Sequence, residues 1–234
     1  MALRAILFDL DDTLYGYAPC NEAGLRAAHE RLAREVSVSY EEFRACHDAV
    51  RLELAEQLKG QAASHNRAIF FKRIVERLVG PGRGSLAVEL YDTYWRVFLD
   101  TMEPAPAALQ LLQELSRTHS LALVSNHTTE VQLRKLEALG LEPYFEVVMT
   151  SEEAGVEKPD PRIFEEALRA LGVAPADSVM VGDGPGVDLL GAQRAGVRCI
   201  LSREFAATGL DGREGLEILD SLSELPGKLA QASG

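Results

Sequence analysis

Positive charge is scarce in this chain: 24 Lys and Arg stand against 36 Asp and Glu, a formal net charge of −12. Such a balance offers no broad basic field for nucleic acid or an anionic membrane surface, and neither is expected as a partner. Long apolar runs are missing as well. No stretch approaches the roughly 20 residues that span a bilayer, and the short run 5–8 meets Asp9 rather than a cleavable signal region, so a cytoplasmic protein is expected. Cys20, Cys46 and Cys199 are few, odd in number and widely spaced, which excludes a disulfide framework and any zinc spacing. Nucleotide-binding loops are absent too. Gly182 and Gly184 would need a third glycine at Val187 to complete a dinucleotide fingerprint, and no G-x-x-x-x-G-K-[ST] loop occurs.

What is present is alternation. Short apolar runs at 4–10, 121–124, 145–149, 178–181 and 197–201 read as buried strands, and each ends in polar residues or a loop. Between them, helical periodicity covers 129–139, closed by Gly140, then 161–171, opened by Asp160-Pro161 and closed by Gly172, then 187–195, closed by Gly196. Strand and helix in turn predict an α/β fold, a parallel sheet in a Rossmann-like three-layer core. Residues 16–100 interrupt this rhythm with four amphipathic stretches near 22–35, 40–59, 66–79 and 85–100, with Asn21, Ser39 and Ser85 as candidate N-caps. A crossover between parallel strands needs one helix, and 106–117 supplies it. The expected organisation is therefore a core built from 1–15 and 101–234 with a helical domain, 16–100, inserted after the first strand.

In an open parallel sheet, ligands bind beyond the carboxyl ends of the strands, and four polar clusters fall there. In Asp9-Leu10-Asp11-Asp12-Thr13, residues i and i+2 share a side, so Asp9 and Asp11 can face one site while Leu10 faces away. Two carboxylates so placed repel unless a cation or proton intervenes. Ser125-Asn126 alone reads as a strand-to-helix turn. Lys158 precedes a helix start that Asp160-Pro161 explains without it. Gly182-Asp183-Gly184-Pro185-Gly186-Val187-Asp188 alone reads as a tight glycine turn.

Taken in order, these clusters resemble the motifs of the haloacid dehalogenase superfamily. The pieces are Phe8-Asp9-Leu10-Asp11-Asp12-Thr13-Leu14, Val124-Ser125-Asn126, Lys158-Pro159 and Val181-Gly182-Asp183 through Asp188, and the match covers Phe8 through Gly196. The inserted helices resemble that family's cap of the type placed between the first two motifs, with a squiggle and flap expected at 14–19. The resemblance implies that Asp9 is a nucleophile that forms an aspartyl-phosphate, and that Asp11 protonates the leaving oxygen and then activates water. It implies phosphoryl binding by Ser125, assisted by the Asn126 backbone, and charge compensation by Lys158. Thr13 and His127 join the expected substrate contacts. Asp183 would hold a metal with Asp9 and Asp11, and Asp188 would be a further ligand or a supporting partner. Four carboxylates and a phosphate ester against one lysine require a hard cation, for which Mg²⁺ is the natural choice.

The expected activity is thus Mg²⁺-dependent hydrolysis of a small phosphorylated metabolite, by a monomer or homodimer. Halide leaves without a proton, so 2-haloacid dehalogenation would need neither Asp11 nor a metal. A phosphomutase would keep all of these residues. A receiver-type signalling module would accept phosphate on its third strand, where 145–151 offers no aspartate, and would lack the insertion. Within the insertion, Tyr91, Tyr94, Trp95 and Phe98 recur at helical spacing and read as that domain's own core. Arg67, Lys72 and Arg73 read as a solvated face unless an anionic substrate tail meets them. Closure of such a lid is expected to pivot near Tyr15-Gly16 and Glu103-Pro104.

Overall fold

A computed structural model of the chain describes residues 3–205 and 216–231. In chain order the elements are β1 (Ala5–Phe8), α1 (Tyr17–Leu32), α2 (Tyr40–Gln57), α3 (Arg67–Leu78), α4 (Gly84–Asp100), α5 (Ala108–Leu115), β2 (Ser120–Ser125), α6 (Thr129–Leu139), β3 (Val147–Thr150), α7 (Ser151–Ala154), α8 (Arg162–Leu171), β4 (Ser178–Gly182), α9 (Leu190–Arg194), β5 (Arg198–Ser202), β6 (Glu217–Leu219) and α10 (Leu225–Gln231), with short 3₁₀ and π turns between them. They form two compact units, Met1–Gly16 with Glu103–Gly234, and Tyr17–Met102.

The first unit is the expected α/β layer structure. Its six strands pair in the order β3-β2-β1-β4-β5-β6, and every pairing is parallel. The order reverses direction at β1, which makes its carboxyl end a topological switch point. Register brings the strand ends level: Phe8 lies beside Leu123 on one side and Val181 on the other. Asp9, Ser125 and Asp183 therefore leave the sheet along one edge. Beneath them, Ala5, Leu7, Ala122, Val124 and Met180 pack with Ile163, Phe164, Ala167 and Leu168 of α8 in one buried cluster. At about 25 cal/mol per Å², burial of such side chains is what anchors the loops above.

The second unit holds the four helices. Ser39 opens α2 with a reciprocal capping box to Glu42, and Asn66 caps α3 by accepting from the Ala68 N–H at 2.9 Å. α1 and α4 approach closely at Gly24: a Cβ there would lie 2.8 Å from the Tyr94 ring, so only glycine admits that approach. Tyr94, Trp95 and Phe98 are buried, with Trp95 5.0 Å from each of the other two rings in edge-on geometry. They are the unit's core.

Several boundaries differ from expectation, each for a local reason. α1 begins at Tyr17 rather than near 22, because Pro19 falls in its first turn, where no intrahelical N–H is needed. Asn21 is consequently inside the helix and caps nothing; its Oδ1 accepts from the Tyr17 and Tyr94 hydroxyls at 3.0 and 2.8 Å. Residues 17–19 of the squiggle and flap expected at 14–19 therefore belong to α1. α4 starts at Gly84 with no side-chain cap, so Ser85 is not its N-cap. The continuous helix expected over 187–195 is instead a π turn, Pro185–Leu189, running into the short α9. Strand β6 was not expected at all.

Candidate active site

Asp9 leaves β1 with its N–H donating to the Val181 carbonyl at 2.9 Å, and the next residues turn sharply, with the Leu14 N–H on the Leu10 carbonyl at 3.0 Å. Asp12 adopts φ +58°, a left-handed conformation that Asp tolerates better than most residues. Leu10 is buried in the core while its two acidic neighbours take different partners. The Asp9 carboxylate is buried and meets Lys158; the Asp11 carboxylate, partly exposed, meets Lys135.

Lys158 is the hub of the first group. Its ammonium donates to Asp9 Oδ1 at 2.5 Å, to Asp188 Oδ1 at 2.6 Å and to the Val124 carbonyl at 2.9 Å, one acceptor for each of its three protons. Asn126 fixes the backbone beneath it: Asn126 Nδ2 donates to the Lys158 carbonyl at 3.0 Å, and the Lys158 N–H donates to Asn126 Oδ1 at 2.7 Å. The Asn126 side chain is thus spent on Lys158. Asp188 sits on the π turn with its Oδ2 accepting from the Gly184 N–H at 2.9 Å. Gly182 makes room for it, since a Cβ there would fall 2.5 Å from the Asp188 carboxyl carbon.

Carboxylate oxygens of Asp9, Asp183 and Asp188 lie within 4.8 Å of one another. Burial, and then the neighbouring carboxylates, hold the Asp9 carboxyl well above the usual range against the pull of Lys158. Burial together with Asp188 and Asp12 pushes Asp183 up to about 7. Burial lowers Lys158, but Asp188 and Asp9 outweigh it and keep the ammonium above the ordinary lysine value. These are the signs of an acidic group short of positive charge. The donors are all hard oxygens, at a spacing that suits a small divalent cation, and among the described residues no imidazole or thiolate joins them. The residues present fit such an ion.

Asp11 is not brought into that trio. Its Oδ1 and Oδ2 accept from Lys135 Nζ at 2.6 and 2.9 Å, and Oδ1 also accepts from the Tyr15 hydroxyl. Ser125, buried at the end of β2, accepts from Gln132 Nε2 at 2.5 Å. Thr13 is fully buried, and its hydroxyl has no hydrogen-bond partner among the described residues. His127 is buried in the loop after β2, where its Nδ1 accepts from the Thr128 N–H at 2.8 Å. In the helical unit, Lys72 pairs with Glu76 and Arg73 reaches Gln57, both on exposed faces. Arg67 differs: it donates to the Tyr17 hydroxyl at 2.7 Å and stacks 4.5 Å from the Phe70 ring centre.

Gln132 and Lys135 are not among the residues the sequence points to, and Tyr15 is there only as a pivot. A signal existed for the first two. The buried stripe of α6 is Val131, Gln132, Lys135, Leu136 and Leu139, so two polar side chains occupy positions where periodicity asks for apolar ones. Such a violation marks a partner elsewhere in the fold.

A family model described as haloacid dehalogenase-like hydrolase matches residues 3–196. The chain is 41% identical to the ribulose-1,5-bisphosphate 5-phosphatase of Halopiger xanaduensis, over 94% of this chain and 97% of that protein. It is 34% identical to the glyceraldehyde 3-phosphate phosphatase of Methanothermobacter thermautotrophicus, over 95% and 98%. Among solved structures, the 2-haloacid dehalogenase of Pseudomonas syringae superposes with a TM-score of 0.80 at 28% identity, covering 99% of this chain and all of that one. With its parallel sheet, its inserted helical domain and a match over most of its length, the chain belongs to the haloacid dehalogenase-like hydrolases and is an enzyme of their phosphoric monoester hydrolase type.

Proposed function

We propose that the chain is a Mg²⁺-dependent phosphatase that hydrolyses a small phosphorylated metabolite through an aspartyl-phosphate on Asp9. The observation that carries this reading is the buried trio of Asp9, Asp183 and Asp188 around Lys158, three carboxylates within 4.8 Å. Asp9, Asp183 and Asp188 would hold the ion, which when bound supplies positive charge against the phosphoryl oxygens. Lys158 keeps one Asp9 oxygen fixed and leaves the other for attack. As the bond from that oxygen to phosphorus forms, the phosphorus to leaving-oxygen bond breaks with its electron pair, and Asp11, which enters this step as the carboxylic acid, gives that oxygen its proton to release the alcohol and becomes the carboxylate that Lys135 and Tyr15 hold. Asp11 then takes a proton from water, whose oxygen attacks phosphorus and displaces Asp9 as carboxylate. Ser125, whose oxygen accepts from Gln132, has its hydroxyl proton left to donate to a phosphoryl oxygen.

The helical unit, Tyr17–Met102, is read as the lid that excludes water and selects the substrate, because it is a separate compact unit inserted after β1. The relatives are named for a pentulose bisphosphate and a triose phosphate, which makes sugar phosphates of three to five carbons the first substrates to test. Dehalogenation is disfavoured by the acid at position 11 and by the carboxylate trio, neither of which a halide leaving group requires. A phosphomutase would differ only in what receives the phosphoryl group. The reading places the enzyme in the cytoplasm, acting as a monomer or homodimer.

The test is phosphate release by purified protein with Mg²⁺ across a panel of sugar phosphates. Turnover of at least one member is expected. Release from none of them would sink the reading, and chloride release from a 2-haloacid without added metal would replace it.

A further inference from the structure

Lys135 is fully buried, yet it lies on the inward stripe of α6, between Val131 and Leu139, where leucine or methionine would pack without cost. Burying an ammonium is expensive unless a partner compensates it, so its placement opposes fold stability unless the interaction it makes is needed. That interaction is with Asp11. The ammonium contacts both carboxylate oxygens, at 2.6 and 2.9 Å, and lies 5.6 Å from the centre of the Tyr15 ring, whose hydroxyl donates to the same carboxylate. Both donors rest on rigid supports: Lys135 in the middle of a helix, Tyr15 fully buried in a turn bridged to Asp11 and Pro104. The carboxylate they hold is partly open to solvent, with 28% of its side chain exposed, so desolvation of Asp11 itself does not demand a lysine.

We propose that Lys135, assisted by Tyr15, is a positioning residue for proton transfer by Asp11. It fixes the orientation of the carboxylate that must meet the leaving oxygen and then the attacking water. This rests on the reading of Asp11 as the proton carrier given above. Orientation matters for a proton-transfer group because reach is short, roughly 2.6–3.2 Å between heavy atoms. A carboxylate free to rotate on an exposed loop spends little time there.

Leaving-group chemistry tests this without relying on overall activity. An alkyl phosphate needs a proton on its departing oxygen, whereas 2,4-dinitrophenyl phosphate departs as a stable anion and does not. The quantity to read is the ratio of kcat/KM for an alkyl sugar phosphate to kcat/KM for 2,4-dinitrophenyl phosphate, both with Mg²⁺. Because kcat/KM ends at departure of the leaving group, the later water step does not enter. In Lys135→Met this ratio is expected to fall about 10²-fold, in Tyr15→Phe less, and in Asp11→Asn most, about 10³-fold. Partial recovery is expected in Lys135→Arg, which restores a cation. A ratio that falls in Asp11→Asn but stays at its original value in Lys135→Met overturns the inference and leaves the Asp11 assignment intact. A ratio unmoved in Asp11→Asn overturns that assignment, and this inference with it. If thermal unfolding shows that Lys135→Met does not fold, Lys135→Ala, which leaves no donor in the slot and less bulk to accommodate, decides by the same ratio in the same directions.

Discussion

The two units bury polar side chains in opposite ways. In the α/β unit, buried charges face charges: Lys158 lies against Asp9 and Asp188, and Lys135 against Asp11. In the helical unit, burial prevails over charge pairing. Arg67, half-buried, has a tyrosine hydroxyl and a phenyl ring for company, and His47 is packed 5.9 Å from Phe70, its Nδ1 3.1 Å from the half-exposed Asp48 carboxylate and its Nε2 without a partner among the described residues. Burial outweighs the Asp48 carboxylate beside its Nδ1 and depresses the basicity of His47 to about 4. The first arrangement concentrates a field at one strand edge, as chemistry on a charged ester requires. The second spends polar groups on packing alone. Disrupting the first should therefore cost rate, and disrupting the second should cost stability.

The largest effect is expected from Asp9→Asn. It removes the nucleophilic oxygen but keeps the shape, and kcat on the best panel substrate should fall on the order of 10⁴-fold or more. Turnover near the original rate would break the comparison at its root. Next comes the cation. Chelation should abolish activity and added Mg²⁺ restore it, while Mg²⁺ should also raise Tm by occupying a site that the unfolded chain lacks. Asp183→Asn sharpens the point, since it relieves repulsion in the metal-free protein while removing a ligand. Metal-free Tm should rise by a few degrees, about 1 kcal/mol being worth roughly 2–4 °C at this size, and the Mg²⁺ response should vanish. An unchanged metal-free Tm together with an intact Mg²⁺ response would mean that the trio is not the ion site.

Why the sequence disclosed some of this and concealed the rest follows from how each residue is positioned. Asp9, Ser125 and Asp183 sit where apolar strands end, so strand periodicity alone locates them, and parallel register then brings them to one edge. Leu10 between two acids shows that their side chains leave the strand alike, but it does not show where each carboxylate goes. Two lysines 23 positions apart divide them, and only the packing of α6 against the strand-end loops brings Lys135 to Asp11. Asn126 was read as a backbone donor to substrate, yet its side chain braces Lys158 across 32 positions, a pairing that no local pattern encodes. Helix starts failed in the same way. Asn21 has the chemistry of a cap, but Pro19 lets the helix begin a turn earlier and tertiary hydroxyls claim the amide.

Gln132 offers a finer cut, because it touches Ser125 without carrying charge. Its Oε1 is buried and has no partner among the described residues, so Gln132→Leu removes an unsatisfied acceptor along with the hydrogen bond to Ser125. Stability should change by less than about 1 kcal/mol. With the hydroxyl no longer oriented, kcat/KM on a sugar phosphate should drop about tenfold. A loss of stability with unchanged kinetics would move Gln132 into the packing class and blur the contrast between the units.

His47 supplies the smallest effect and the one that should leave chemistry untouched. Its folded-state value of about 4 lies below the unfolded value of 6.5, so the folded chain binds fewer protons than the unfolded chain between those limits. Acid therefore favours unfolding: the contribution of neutral His47 is fully present above about pH 6.5 and is lost as pH falls towards 4. Between pH 7 and 5 the loss amounts to roughly 2 kcal/mol. Trp95, the single tryptophan of the chain, lies in α4 and reports unfolding of the helical unit by fluorescence. Denaturant midpoints followed by that signal should fall over this range more steeply in the unmodified protein than in His47→Met, whose core side chain cannot titrate. Equal slopes would mean that the Asp48 carboxylate fully offsets the burial of His47 in solution, and that the helical unit handles buried polarity much as the α/β unit does.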